Sequence, residues 1–257
     1  MKKPTFDEFY ESLYSVRWHN IRDAMLQPPN YYTLSRGLTR DYFLDTASFI
    51  AADSLPLPDK GRILDLCAAP GGKALVLAGK MGTGCAITVN EKSPERRNRL
   101  KTVLDSHLPE KIFSRIRITG YDAAKWGLYE QDAYDAVLLD VPCSSERHIL
   151  NSDKHLAKWS QARTKHLSIQ AYAMLASALM TVKCGGYILY ATCALSIHEN
   201  DRVVEKLLKR KSEQCEIVPL PEGPGESTRT GVQILPDTAE GMGPLFYSLI
   251  QKLDVDS

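Results

Sequence analysis

The chain has 257 residues, 44% hydrophobic and 25% charged, with a formal net charge of +1. That supplies a large core and excludes attraction to a polyanion through overall charge, so any nucleic-acid contact must come from a local patch. No apolar run approaches the roughly 20 residues that span a bilayer. The opening "MKKPTFDEFYESLYSVRW" has no apolar signal core, and its Asp7, Glu8 and Glu11 argue against an organellar leader. Six cysteines without a C-x-x-C pair argue against zinc or a disulfide scaffold. These features predict a reduced, cytoplasmic, metal-free domain.

Residues 1–61 read as a helical extension packed on a catalytic domain of residues 62–257, with "QPPNYY" as a turn. From Arg62 the chain alternates. "RILDLC", "GCAITVN", "SRIRIT", "YDAVLLDV" and "GYILYAT" have the short apolar or β-branched pattern of buried strands. Between them, "GGKALVLAGK", "SPERRNRLKTVL" and "SQARTKHLSIQAYAMLASALMTV" read as helices, the second opened by Ser93 as N-cap and Pro94 at the first helical position. "HENDRVVEKLLKRK" is an amphipathic helix, and "CEIVPL", "GVQILP" and "PLFYSLIQKL" are weaker strands. Alternating strands and helices predict an α/β fold with a mainly parallel sheet, helices on both faces and ligands at the carboxyl ends of the strands.

Those ends carry Asp65-Leu66-Cys67, Asn90-Glu91, Asp122, Asp140-Val141-Pro142-Cys143 and Thr192-Cys193. The loop "LDLCAAPGGK" is neither G-x-G-x-x-G nor a P-loop. Small residues at Ala68, Ala69, Gly71 and Gly72 admit a ligand to the backbone, and the following helix N-terminus offers free N–H groups. Glu91 is placed to accept from ribose hydroxyls and Asp122 from an exocyclic amine. The ligand that fits is an adenosine bearing a charged amino-acid part, S-adenosylmethionine.

Three stretches, "LDLCAAPGGK", "DVPCSS" and "YATCALSIHEN", give the chain from about Tyr32 onward a resemblance to the RsmB/Fmu/Sun family of RNA (cytosine-5-) methyltransferases. It looks most like the branch that includes the mitochondrial NSun enzymes. The resemblance implies a Rossmann-like class I methyltransferase with a seven-stranded sheet. It implies that Cys67, Ala68, Ala69, Pro70, Gly71, Gly72 and Lys73 line the cofactor, with Glu91 at the ribose, Arg96 beside it, Asp122 facing the adenine and Asp140 between cofactor and target base. It also implies that Cys193 is the nucleophile and Cys143 the thiol that releases product, an order that strand-end placement alone leaves open. Lys73 is expected to orient Asp140. The sequence departs from the family where Ser145-Glu146-Arg147-His148 stands for glycines after the Pro-Cys, and where Ala194 stands for a serine.

The stretch after the Pro-Cys loop holds Arg147, Lys154, Lys158, Arg163 and Lys165 against one acid, with Trp159 among them. Basic residues mixed with an aromatic next to the reactive rim predict phosphate contact and base stacking. The expected partner is RNA, ribosomal first and transfer RNA second, with a protein partner for targeting a further expectation. A monomer with no membrane contact is expected. The rivals are a non-catalytic RNA-binding assembly factor and a methyltransferase acting on a small molecule or on nitrogen or oxygen.

Overall fold

The computed structural model describes residues 4–254. Thr5 opens helix α1 (Phe6–Tyr14) with a reciprocal capping box to Glu8. Helix α2 (Trp18–Leu26) follows, and together they bury Phe6, Phe9, Tyr10, Trp18, Ile21 and Met25 against Ile149, Leu150 and Leu195. Strands β1 (Tyr31–Leu34) and β2 (Tyr42–Asp45) form an antiparallel hairpin, and Asp45 caps α3 (Thr46–Asp53) by accepting from the Ser48 amide. The lead-in is therefore not wholly helical. Its hairpin overlaps the expected turn only at residues 31–32 and otherwise replaces an expected helical stretch.

The main sheet runs β5 (Ile116–Thr119), β4 (Gly84–Asn90), β3 (Lys60–Asp65), β6 (Tyr134–Asp140), β7 (Val182–Thr192), β11 (Leu245–Lys252), β10 (Val232–Ile234) and β9 (Glu226–Ser227), with β8 (Cys215–Val218) also on β11. The five strands from β5 to β7 are parallel, and β11 is antiparallel to β7. Nine strands rather than seven result because short β9 and β10 extend the antiparallel edge. Strand order reverses beside β3, so β3, β4 and β6 open their carboxyl ends on the crevice where ligands bind in such sheets.

Both faces are covered. Helices α3, α4 (Gly72–Lys80) and α5 (Pro94–His107) pack Ala51, Leu75, Leu77, Leu100 and Leu104 on one side. Helix α9 (Gln161–Thr181) and α10 (Asp201–Arg210) close the other with Leu175, Ala178, Val204 and Leu207. The buried Leu167, Ala171, Leu175, Ala178 and Leu179 of α9 follow the three-four spacing of a core-facing stripe. Ser93 caps α5 with Pro94 in its first turn, as its sequence predicts. Short helices α6 (Glu110–Phe113), α7 (Glu146–Leu150) and α8 (Asp153–Leu156) fill connections. No helix among the described residues is long and apolar enough to cross a membrane.

Candidate active site

Three connected cavities line the carboxyl ends of the sheet. The first, about 360 Å³, is bordered by Cys67, Glu91, Arg96, Tyr121 and Asp122. The second, about 210 Å³, shares Cys67 and adds Asp65, Ala68, Ala69, Pro70, Gly72, Lys73 and Asp140. The third, about 610 Å³, contains Cys193, Ser145 and His148, and shares Tyr31, Asp45 and Ser48 with the second.

The loop from Cys67 to Gly71 is held from outside. The Ala68 amide donates to Asn90 O at 2.9 Å, and Arg96 Nη2 donates to Ala69 O at 2.8 Å. Gly71 has φ +124°, and a Cβ there would press on Val103 and Leu100 of α5, so only glycine fits this turn. Arg96 also pairs with Glu91 at 3.1 Å, and Glu91 accepts from the Ser93 amide. Asp122 pairs with Lys92 at 2.8 Å and caps the turn at Ala124, and the Lys92 hydrogen bond holds its carboxyl below the usual range. Asn90, in the same row, ties three strand ends by bonding Leu66 O, Tyr121 O, the Tyr121 amide and the Thr119 hydroxyl.

Lys73 Nζ lies 2.8 Å from Asp140 Oδ2 and 3.1 Å from Ser48 Oγ. Burial alone would lower the lysine's pKa, but the Asp140 charge and hydrogen bond raise it above the ordinary value. Lys73 is thus a fixed cation rather than a base. Asp65 is 1% exposed, and neither carboxylate oxygen has a well-formed hydrogen bond; only the Cys67 amide comes near. Burial, with the Asp140 charge, pushes it up to about 8 against the opposing pull of Lys73. Burial pushes the Cys67 thiol up too, so it stays protonated and unreactive.

The two strand-end thiols meet. Cys143 Sγ and Cys193 Sγ are 2.6 Å apart, both as free cysteines. Ser145 Oγ reaches both, at 3.1 Å from Cys193 and 3.6 Å from Cys143. The Cys193 hydrogen bond, then burial, raises the Cys143 pKa well above that of an ordinary thiol. Ser145 sits at φ +56°, the left-handed region that favours glycine, so the serine carries strain.

Behind the thiols lies a layer that the sequence did not reveal. Glu146 and Glu199 are fully buried. Glu146 accepts from Tyr10 Oη, Ser144 Oγ and the Leu195 amide, while Glu199 accepts from the Ser144 amide and hydroxyl. One serine hydrogen cannot serve two carboxylates, so the pair holds a proton. Burial raises both, Glu199 to about 8 with a further push from Glu146. The carboxylates thereby staple the Pro-Cys loop to the segment after Cys193. Asn200 adds a second staple, accepting from Thr192 Oγ1 and donating to Ala194 O. His198, Glu199 and Asn200 are thus a turn before α10, not its first residues.

Two residues expected at RNA are engaged within the fold. Arg147 donates to five main-chain carbonyls, those of Ala24, Met25, Gln27, Gly241 and Gly243, so its guanidinium serves as a strut, and the residue also borders the cavity holding Cys193. Trp159 packs on Phe6, Phe9 and Tyr10, because α1 covers the face on which a base would stack. Lys154, Lys158 and Arg163 are exposed, without ion pairs among the described residues, and lie outside the three cavities. Conversely, Tyr31, Asp45 and Ser48 enter the site from the lead-in; the Asp45 N-cap pattern was the one sequence signal for them. Among the described residues no cluster of His, Cys, Asp or Glu is arranged to hold a metal ion.

The family model for 16S rRNA methyltransferase RsmB/F matches residues 52–251. The chain belongs to the RsmB/F family. It is 34% identical over 233 residues to the 5-cytosine rRNA methyltransferase NSUN4 of Bos taurus, covering 83% of this chain and 60% of that protein. It is 32% identical over 228 residues to the mitochondrial tRNA (cytosine(34)-C(5))-methyltransferase of Danio rerio, covering 84% and 62%. The chain therefore spans about three fifths of these curated relatives. A methyltransferase homolog protein from Pyrococcus horikoshii shares the fold, with TM-score 0.74 at 20% identity over 95% of this chain and 93% of that one. So does NSun6 from the same organism, with TM-score 0.71 at 20% identity over 87% and 55%.

These relatives correct the cytoplasmic expectation, because the tRNA enzymes of Danio rerio and Mus musculus are named as mitochondrial. The acids taken as arguing against a leader sit in α1, a capped helix packed on the domain, so their charge reports on a folded surface and not on an address.

Proposed function

We propose that this RsmB/F-family chain transfers a methyl group from S-adenosylmethionine to carbon 5 of a cytosine in RNA, with Cys193 as nucleophile and Cys143 as the releasing group. The observation that carries the reading is the contact between two free thiols, of which Cys193 lines a cavity, near the Lys73–Asp140 pair. A nitrogen or oxygen methyltransferase needs no such pair.

The residues present fit the cofactor. The small-residue loop at 67–72 exposes backbone, and Asp65 is a buried carboxylate lacking the cation that an amino-acid ammonium group would supply. Glu91, Arg96 and Asp122 border the cavity for the nucleoside part. When bound, S-adenosylmethionine supplies an electrophilic methyl group.

Carbon 5 of cytosine is a weak nucleophile. Addition of the Cys193 thiolate to carbon 6 makes the ring an enamine, which splits one hard step into easier ones. Lys73 fixes Asp140, which holds the cytosine's polar edge as the ring gains electron density. Cys143, with its raised pKa, is a proton carrier beside the nucleophile, and the Ser145 hydroxyl bridges the two sulfurs. Once the Cys143 thiol has passed its proton to solvent through the Ser145 hydroxyl, its thiolate is a strong base: it takes the carbon-5 proton, the C–H electrons form the 5,6 double bond, and the Cys193–carbon 6 bond breaks with Cys193 leaving as thiolate. The base must leave its stack, which costs a few kcal/mol and least in a loop or single strand.

Ribosomal RNA is the first substrate to test, since the NSUN4 relatives are named for it, and transfer RNA the second. Lys154, Lys158 and Arg163 remain our candidates for distant phosphate contacts, and a protein partner for targeting remains part of the reading. The division at residue 61 is likewise a proposal. The test is incubation with methyl-labelled S-adenosylmethionine and total RNA, followed by mapping of modified cytosines. Cys143→Ala should accumulate a denaturation-resistant RNA–protein adduct. Label confined to protein, small molecules or purine nitrogens overturns the reading, and an adduct in Cys193→Ala instead inverts the two roles.

A further inference from the structure

The β1–β2 hairpin carries an exposed feature that its own folding does not require. Its register pairs Tyr32 with Leu44 and Leu34 with Tyr42 on one face, and Tyr31 with Asp45 and Thr33 with Phe43 on the other. The first face anchors it, with Leu34 and Leu44 buried and Tyr32 stacked on Phe49 at 3.7 Å between ring centroids. On the second face Tyr31 and Phe43 are 60% and 63% exposed. Two large aromatics left in water on one face of a short hairpin mark a contact surface.

Their position says what they contact. Tyr31 borders both the cavity holding Cys193 and the cavity holding Lys73 and Asp140, and Phe43 borders the latter. The connection between the strands carries Arg36 and Arg40, both exposed and without an ion pair among the described residues. Its acid, Asp41, accepts from Ser35 Oγ. Arg99 of α5 adds a third guanidinium close to Tyr42. Flat π-faces on a hairpin whose connecting loop carries guanidinium groups without ion pairs among the described residues suit single-stranded nucleic acid, where bases stack on aromatics and phosphates meet cations.

We propose that Tyr31 and Phe43 form a stacking platform for the unpaired nucleotides beside the target cytosine, with Arg36 and Arg40 meeting the adjoining phosphates. This rests on the RNA-cytosine reading above. The platform holds neighbouring bases apart from the target, so that the displaced cytosine enters the Cys193 cavity while the strand stays fixed over the hairpin. A hairpin that instead closed over the cofactor would use the same aromatics for a different ligand.

The test is a titration of the full chain with a single-stranded RNA carrying 2-aminopurine beside its one cytosine, run in parallel with calorimetric binding of S-adenosylmethionine. In wild type the 2-aminopurine fluorescence should be quenched on binding. Tyr31→Ala and Phe43→Ala should each weaken RNA binding by about 5- to 100-fold, the range for one lost base–aromatic stack. Quenching should be lost, RNA affinity should fall by a clearly larger factor than cofactor affinity, and melting temperature should stay unchanged. Tyr31→Trp should restore both RNA readouts. Arg36→Ala and Arg40→Ala should each reduce the salt slope of RNA binding by about one.

Unchanged RNA affinity in the alanine variants, absence of RNA binding by wild type, or loss of cofactor affinity with RNA affinity intact would each overturn the platform. A wild type that methylates cytosine while Tyr31→Ala behaves identically removes the platform alone. A wild type that binds and quenches the RNA but methylates no cytosine removes the parent reading alone.

Discussion

On the cofactor side of the rim, Glu91, Asp122 and Asp140 each face a cation, at 3.1, 2.8 and 2.8 Å. On the thiol side, Glu146 and Glu199 are buried without an ion pair among the described residues and are met by amides and hydroxyls instead. The cation-paired acids face the ligand cavities, whereas acids buried among neutral donors take up protons and become scaffold. Asp65 belongs to neither group, since it has no cation and lacks well-formed donors. That is the signature of a group whose partner arrives with the ligand.

The comparison can be broken at several points. The largest effect is expected at the thiols, where Cys193→Ala should lower methyl transfer to RNA by about 10⁴-fold or more, as for other covalent nucleophiles. Melting temperature should not change, and single-turnover transfer of labelled methyl groups measures the loss.

On the scaffold side, Glu146→Ala should destabilise by about 3 kcal/mol, because the Leu195 amide, Tyr10 and Ser144 lose a buried acceptor. For a chain of this size that is a fall of about 6–12 °C in melting temperature. The same layer sets a pH response. Glu199 is raised to about 8, so the folded state holds its proton more tightly than the unfolded chain does. That stability is complete below about pH 4 and is lost as pH rises toward 8. Glu199→Gln should flatten the decline in a series of melts, and an unaltered slope would remove this carboxyl as its source.

For Asp65 the expectation is smaller and of the opposite sign. Its carboxyl, raised to about 8, must lose a proton to receive a cation, so S-adenosylmethionine affinity should rise with pH up to that value. Asp65→Asn should lower the affinity by about tenfold and abolish the pH dependence, read by calorimetry. The smallest effect is at Ser145. Glycine relieves a left-handed serine, so Ser145→Gly should stabilise by about 1 kcal/mol in denaturant melts. Turnover should fall only severalfold, through loss of the hydroxyl between the sulfurs.

What the sequence disclosed follows from the same physics. Parallel strands buried on both faces are continuous apolar runs, and each must end in a loop on the ligand rim. Asp65, Glu91, Asp140, Cys143 and Cys193 could therefore be placed from local pattern. The family stretches then ordered the two cysteines, which pattern could not. The hairpin was invisible because four-residue strands around Arg and Gly carry too little periodicity to outweigh a helical reading. Arg147 and Trp159 looked like RNA contacts because their partners, residues 24–27 and 241–243 for one and α1 for the other, adjoin them only in the folded chain. The burial of Glu199 was hidden for the same reason, as an acid beside a helix start ordinarily faces water.

The five carbonyls around Arg147 also bear on how the molecule is made. They come from the end of α2 and from the turn before β11, and the cavity beside Cys193 takes its walls from the same two regions. Strands β3, β4 and β6 all precede residue 141, about a hundred positions before β11. The enclosure beside Cys193 needs the segment around Gly243 to meet residues more than two hundred positions earlier in the chain. The wall beside Cys193 thus depends on residues far apart in sequence, and a chain interrupted before residue 243 would lack Gly243, Pro244 and Leu245 from it.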